Sequence, residues 1–120
     1  MEYTKANETA QQIIGSLRFA GFRAEIAGGV YKSKPSVHDI DIVVENARVY
    51  KGIGGSAIDL ISMCALSAIK DIPDADRVPI EFYITTPEHF DRLLLALRSH
   101  RCDVIKGRLM TGLKFRKFTY

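Results

Sequence analysis

From Ala6 to Ala20 the apolar residues Ala6, Ala10, Ile13, Ile14, Leu17 and Ala20 fall at helical spacing, and Gly21 supplies a C-terminal stop. Phe22 to Ala27 reads as a short strand running into the pair Gly28-Gly29. Val37 to Glu45 contains Ile40, Ile42, Val43 and Val44, a β-branched run that predicts a second strand. Asn46 to Gly55 is polar and glycine-rich, a loop or small hairpin. Ser56 is placed to cap a helix reaching about Lys70, with Ile58, Ile61, Leu66 and Ile69 as its apolar positions.

Asp71 to Asp76 is rich in turn formers, and Val78 to Thr85 is a β-branched and aromatic strand. Thr86-Pro87-Glu88 carries a capping hydroxyl, a proline suited to a first helical turn, and an acid near the positive end of the dipole. A helix is therefore predicted from there to about His100, with Phe90, Leu93, Leu94, Leu95 and Leu97 inward. Val104-Ile105 and Leu109 to Tyr120 read as terminal strands about a Lys106-Gly107 turn. Helices alternate with strands until a strand-only tail. The expectation is one α+β domain over residues 1–120, a mixed β-sheet with helices packed mainly on one face and a basic β-rich tail at 106–120.

Composition changes this picture little. With 47% apolar and 26% charged residues, the chain is an ordinary globular sequence able to bury a core without staples. No apolar run approaches the ~18 residues of a membrane span, so no membrane partner is expected. Cys64 and Cys102 are isolated and read as reduced thiols, which suits a cytoplasmic protein. Charge is more informative. Lys106, Arg108, Lys114, Arg116 and Lys117 give residues 106–120 a charge of +5 within a net +3, leaving −2 for the rest. With Phe115, Phe118 and Tyr120 interleaved, that end suits contact with nucleic acid, or equally an edge strand guarded against pairing by its charges.

The chemistry concentrates elsewhere. Gly28-Gly29 is followed, after nine intervening residues, by Asp39-Ile40-Asp41-Ile42. Glycines allow backbone N–H groups to approach a phosphate closely, and residues i and i+2 of a strand share a face. Asp39 and Asp41 should therefore project together, repelling each other until a cation or proton intervenes, while Ile40 and Ile42 anchor the strand. Such hard oxygen ligands suit Mg²⁺ or Mn²⁺. Glu81, between Ile80 and Phe82 on the other apolar strand, is the candidate third carboxylate, as a metal ligand or a proton acceptor.

These residues resemble a known family. Gly-Gly, nine residues and Asp-Ile-Asp look like the signature of the nucleotidyltransferase superfamily typified by DNA polymerase beta. The stretch from Glu81 to Phe90 is similar to the family-X segment in which an Asp, standing where Glu81 does, is followed by an apolar strand and Pro-Glu-x-Phe/Tyr. The resemblance spans roughly residues 13 to 97. It implies a polymerase-beta-like palm in which Asp39 and Asp41 bind both catalytic metals and Glu81 lies near the acceptor hydroxyl. It also implies that Gly28, Gly29 and the following Lys32, Ser33 and Lys34 hold the phosphates of an NTP or dNTP, with lysines where the family often has Arg. The helix-hairpin-helix modules and full thumb find no room in 120 residues, so a palm nearly alone is expected, with a partner subunit to supply fingers or thumb.

The expected activity is transfer of a nucleoside monophosphate to a hydroxyl, with the basic tail pointing to a DNA or RNA end as acceptor. The alternatives are nucleotidylation of a protein or small molecule, as small toxin–antitoxin nucleotidyltransferases perform, and a non-catalytic nucleic-acid-binding subunit that keeps the palm. Gly52-Ile-Gly54-Gly55-Ser56-Ala57 fits a dinucleotide-type glycine pattern but lacks a convincing preceding strand, and reads better as a loop. His38, His89 and His100 form no ligand pair, and Ser33 and Ser36 have no partner set for nucleophilic catalysis.

Overall fold

The computed structural model describes residues 2–37, 39–45, 57–70, 72, 80–99, 108–110 and 114–117. Helix α1 (Tyr3–Phe19) leads into strand β1 (Ala24–Ala27), the single-turn helix α2 (Gly28–Tyr31) and strand β2 (Ile40–Glu45). Helix α3 (Ala57–Ile69), strand β3 (Ile80–Thr85) and helix α4 (Phe90–Arg98) follow, and strands β4 (Arg108–Met110) and β5 (Lys114–Lys117) end the described chain. The sheet order is β1-β2-β3-β5-β4. β1 and β4 run antiparallel to their neighbours, whereas β2, β3 and β5 are mutually parallel. The fold is thus α+β with a mixed sheet.

Strand alternation divides this sheet between two cores. On one face Ala24, Ile40, Ile42, Val44, Ile80, Phe82 and Ile84 are buried against Ala6, Ala10, Ile13, Ile14 and Leu17 of α1 and Ile61, Ala65 and Ile69 of α3. The other face carries Ala27, Val43 and Tyr83, which pack with Phe90, Leu93, Leu94 and Leu97 of α4. The two longer helices do share one face, as predicted, but α4 crosses to the opposite one. β2 and β3 are consequently buried along almost their whole length, which explains their near-continuous apolar sequence.

Several boundaries differ from the sequence reading for identifiable reasons. α1 ends as predicted, with Gly21 at φ +96° turning the chain so that Phe22 N–H reaches the Leu17 carbonyl at 2.9 Å. The strand expected from Val37 begins only at Ile40, and Val37 is instead buried against the first core from the preceding loop. Thr86-Pro87-Glu88 does not begin α4. His89 N–H bonds the Thr86 carbonyl at 3.1 Å in a separate turn, and the helix opens at Phe90 without a side-chain cap. Leu95 is 68% exposed, because it follows Leu94 directly and rotates off the buried stripe; Leu66 on α3 is exposed in the same way. The stretch from Leu109, expected as one strand, divides into the antiparallel pair β4–β5. The 46–55 loop, Ser56, most of the 71–76 connection, Val104-Ile105 and the Lys106-Gly107 turn lie outside the described residues.

α4 is tied down at both ends. At its start Arg23 packs its guanidinium 4.0 Å from the Phe90 ring centroid and pairs with Asp91 at 2.8 Å. At its end Arg98 donates to the Ile26 carbonyl at 3.0 Å and lies 4.1 Å from the ring centroid of Tyr31. The second clamp fastens α4 to both β1 and α2, next to the aspartate-bearing end of β2.

Candidate metal centre

The register builds the site. Asp41 pairs laterally with Ala27 of β1 on one side and with Glu81 of β3 on the other. Laterally paired residues share a face of the sheet, so the two carboxylates are brought together on the α4 face, one residue into each of two parallel strands. Asp39, two residues before Asp41, joins them. One ligand oxygen from each of Asp39, Asp41 and Glu81 lies within 4.8 Å of the others. The convergence expected from i, i+2 spacing and a second apolar strand is therefore the observed geometry, and Ile40 and Ile42 anchor β2 from the other face, fully buried.

Burial makes this more than a polar rim. Asp41 and Glu81 are only 8% and 7% exposed. Asp41 Oδ1 is buried with no hydrogen-bond partner among the described residues. Loss of solvent, and then the charges of Asp39 and Glu81, raise the Asp41 pKa to about 7, against a weaker opposing contribution from the Tyr83 hydroxyl. A buried carboxylate oxygen left without a donor, beside two more carboxylates, is the donor set a hard divalent cation completes. The residues fit Mg²⁺ or Mn²⁺.

The two glycines prove to have different tasks. Gly28 is buried at φ +63°, and a Cβ there would overlap Asp41 Oδ2 and stand 2.9 Å from its Cγ. Gly28 is thus a wall of the carboxylate site. Gly29 has ordinary surroundings, with Val37 Cγ1 at 3.7 Å and Lys34 Cδ at 3.8 Å from such an added carbon.

The stretch expected to hold phosphate is partly committed to its own turn. The N–H groups of Lys32, Ser33 and Lys34 donate to the carbonyls of Gly28, Val30 and Gly29, each at 3.1 Å, and Ser33 takes a left-handed φ of 54°. Those three amides are not a phosphate cradle. What they can offer an anion is side-chain charge, from the half-buried Lys32 and the exposed Lys34.

The basic tail is divided by strand parity. Lys114 pairs with Glu81 and Arg116 with Tyr83, which puts both positions on the carboxylate face. Lys117 pairs with Ile84 and with Arg108, which puts those two positions on the opposite face. Lys106 lies outside the described residues, as do His38, His100 and Cys102.

Sequence reading passed over Tyr83. Its hydroxyl donates to Glu81 Oε2 at 2.7 Å, and the side chain is 7% exposed. The available signal was period two: Tyr83 is to Glu81 what Asp41 is to Asp39.

No family model matches this chain, and comparisons with curated proteins and with solved structures likewise give no match. Among the described residues no helix is long and apolar enough to cross a membrane.

Two consequences are measurable. Asp41 has a folded pKa above its ordinary value, so between about pH 4 and about 7 the folded state holds a proton that the unfolded state releases. This group's contribution to stability is therefore greatest at low pH, falls as pH rises through that window, and levels off above it. In chelator-treated protein, chemical denaturation should find Asp41→Asn close to wild type near pH 4 and increasingly more stable towards neutrality. An advantage that does not grow with pH would refute the crowded-carboxylate account.

The glycines give the other test. Gly28→Ala should destabilise the protein by at least about 1–2 kcal/mol from left-handed backbone strain alone, with additional cost from displacing Asp41. Gly29→Ala should be nearly neutral in stability. Equal effects of the two substitutions would contradict the asymmetry.

Proposed function

We propose that this chain is a minimal metal-dependent nucleotidyltransferase of polymerase-beta-like palm type. It would move a nucleoside monophosphate from an NTP or dNTP to a hydroxyl, with a nucleic-acid end as the favoured acceptor, and release pyrophosphate. The observation that carries this reading is the cluster of Asp39, Asp41 and Glu81, two of them buried, with one carboxylate oxygen lacking a donor among the described residues.

Bound between these carboxylates, Mg²⁺ or Mn²⁺ would polarise the reacting phosphate and lower the pKa of the attacking hydroxyl. The chain's own residues do the rest. Asp41 of β2 and Asp39 just before that strand would hold the cations, and Gly28 keeps the backbone clear of Asp41. Glu81, arriving from the neighbouring strand, is the third ligand or takes the hydroxyl proton. The acceptor oxygen forms its bond to the α-phosphorus as the bond to the β-phosphate oxygen breaks, and pyrophosphate departs with that electron pair. Lys32 and Lys34 supply positive charge for the triphosphate as point charges, without the bidentate fork of an arginine.

The deciding experiment incubates the protein with each α-labelled NTP and dNTP, Mg²⁺, and a DNA, RNA or protein acceptor. Label should appear on a nucleic-acid end, and Asp41→Asn should abolish it while remaining folded. Label on protein or a small molecule would move the acceptor assignment. Absence of metal-dependent nucleotide binding would leave a non-catalytic palm and refute the enzyme.

Strand parity sharpens the test of the tail. Neutralising Lys114 and Arg116 together should flatten the log–log salt dependence of nucleic-acid binding by about two units. Neutralising Arg108 and Lys117 should do much less, because their register positions lie on the other face of the sheet. Equal losses from the two pairs would mean that the segment acts as undirected charge.

A further inference from the structure

We infer that Tyr83 is a specificity-determining residue that fixes Glu81 as a one-oxygen ligand and so makes the centre prefer Mg²⁺ to Ca²⁺. This rests on reading Asp39, Asp41 and Glu81 as a metal centre, and it concerns a residue that the functional reading does not use.

Glu carries one more methylene than Asp, and with it one more torsion and more freedom to swing its carboxylate. In this site that freedom is restrained. The Tyr83 hydroxyl donates to Glu81 Oε2 at 2.7 Å, the usual length of a well-formed O–H···O bond. Tyr83 cannot easily follow a moving carboxylate, because it is 7% exposed and belongs to the buried cluster formed with Val43 and the apolar face of α4. A rigid phenol therefore holds one oxygen of the carboxylate in place.

The chemistry of the donor matters as well. A neutral hydroxyl leaves the full negative charge on Glu81, whereas a lysine or arginine in the same role would compete with the cation. Ca²⁺ takes six to eight oxygens and often claims both oxygens of one carboxylate, while Mg²⁺ takes an octahedron of shorter single contacts. Anchoring Oε2 to Tyr83 opposes two-oxygen chelation of one ion and leaves single-oxygen ligation undisturbed. The centre itself calls for a cation, since Asp41 is only 8% exposed and its Oδ1 has no donor among the described residues.

The competing account is that Tyr83 merely satisfies its own buried hydroxyl by bonding the nearest acceptor. Tyr83→Phe separates the two, because it preserves the ring in the α4 core and deletes only the donor. Calorimetric titration of the full chain with Mg²⁺ alone and with Ca²⁺ alone, for wild type and Tyr83→Phe, reads the ratio of the two affinities. The ratio should move towards Ca²⁺ by about tenfold, the scale of one hydrogen bond to a charged group. A fall of both affinities in parallel, or an unchanged ratio, overturns the inference while leaving the metal centre standing. A wild-type protein that binds neither ion overturns the metal centre, and this inference with it. Glu81→Asp supplies a second reading. Its shorter side chain draws the carboxylate away from the Tyr83 hydroxyl, and the ratio should shift in the same direction.

Discussion

Everything in this fold bears on one electrostatic constraint: two buried carboxylates, Asp41 and Glu81, are held side by side on the α4 face of the sheet with a third at their edge. Charges this close repel, and burial removes the water that would screen them. A flexible loop would relax the repulsion by turning one side chain outwards. Here that escape is blocked, because Asp41 and Glu81 belong to parallel strands whose alternate residues are locked into the opposite core. Rotating either carboxylate away would require breaking the register that buries Ile40, Ile42, Ile80 and Phe82. The hydrophobic core thus stores the electrostatic cost, and that stored cost is what a bound cation would relieve.

The arrangement of helices follows from this. α1 and α3 cover one face by apolar contact, with Arg18 of α1 also donating to the Ala24 carbonyl of β1. α4 covers the other. It packs over Val43 and Tyr83, and its last turn is fastened through Arg98 to the Ile26 carbonyl and the Tyr31 ring. The same short stretch of chain therefore bounds the site from two sides: Gly28 as backbone against Asp41, and Tyr31 as the anchor for α4. A perturbation of α4 should be felt at the carboxylates without any direct contact, through Tyr83 and its bond to Glu81.

Much of this was legible from residue pattern, and the failures have a common origin. Period two placed Asp39, Asp41 and Glu81 correctly because strands β2 and β3 leave no ambiguity about which residues are apolar. Period 3.6 found α1 and the buried side of α4 but misassigned Leu66 and Leu95, since an extra leucine beside a buried stripe looks the same in sequence whether or not a neighbouring element covers it. The Thr-Pro-Glu start of α4 carried every local signal of a helix N-terminus, yet tertiary packing began the helix at Phe90, the first residue that could reach the core. Gly28 and Gly29 were indistinguishable in sequence. Only the approach of Asp41, from a strand paired with β1, gives one of them a wall to form. Such assignments depend on which strand lies beside which, and that information is not local.

The tail shows the same point in functional terms. As composition, five cations in the last fifteen residues are one basic patch. As strands, the four at described positions are two pairs on two faces, and only Lys114 and Arg116 share a face with the carboxylates. Lys114 continues the row that runs from Ala27 through Asp41 and Glu81, so the sheet sets a cationic position directly beside its third carboxylate. Along that one row the order of charges is therefore anionic in β2 and β3 and cationic one strand further out. A uniform basic surface would attract a polyanion without orienting it. Parity across β3 and β5 thus converts net charge into direction.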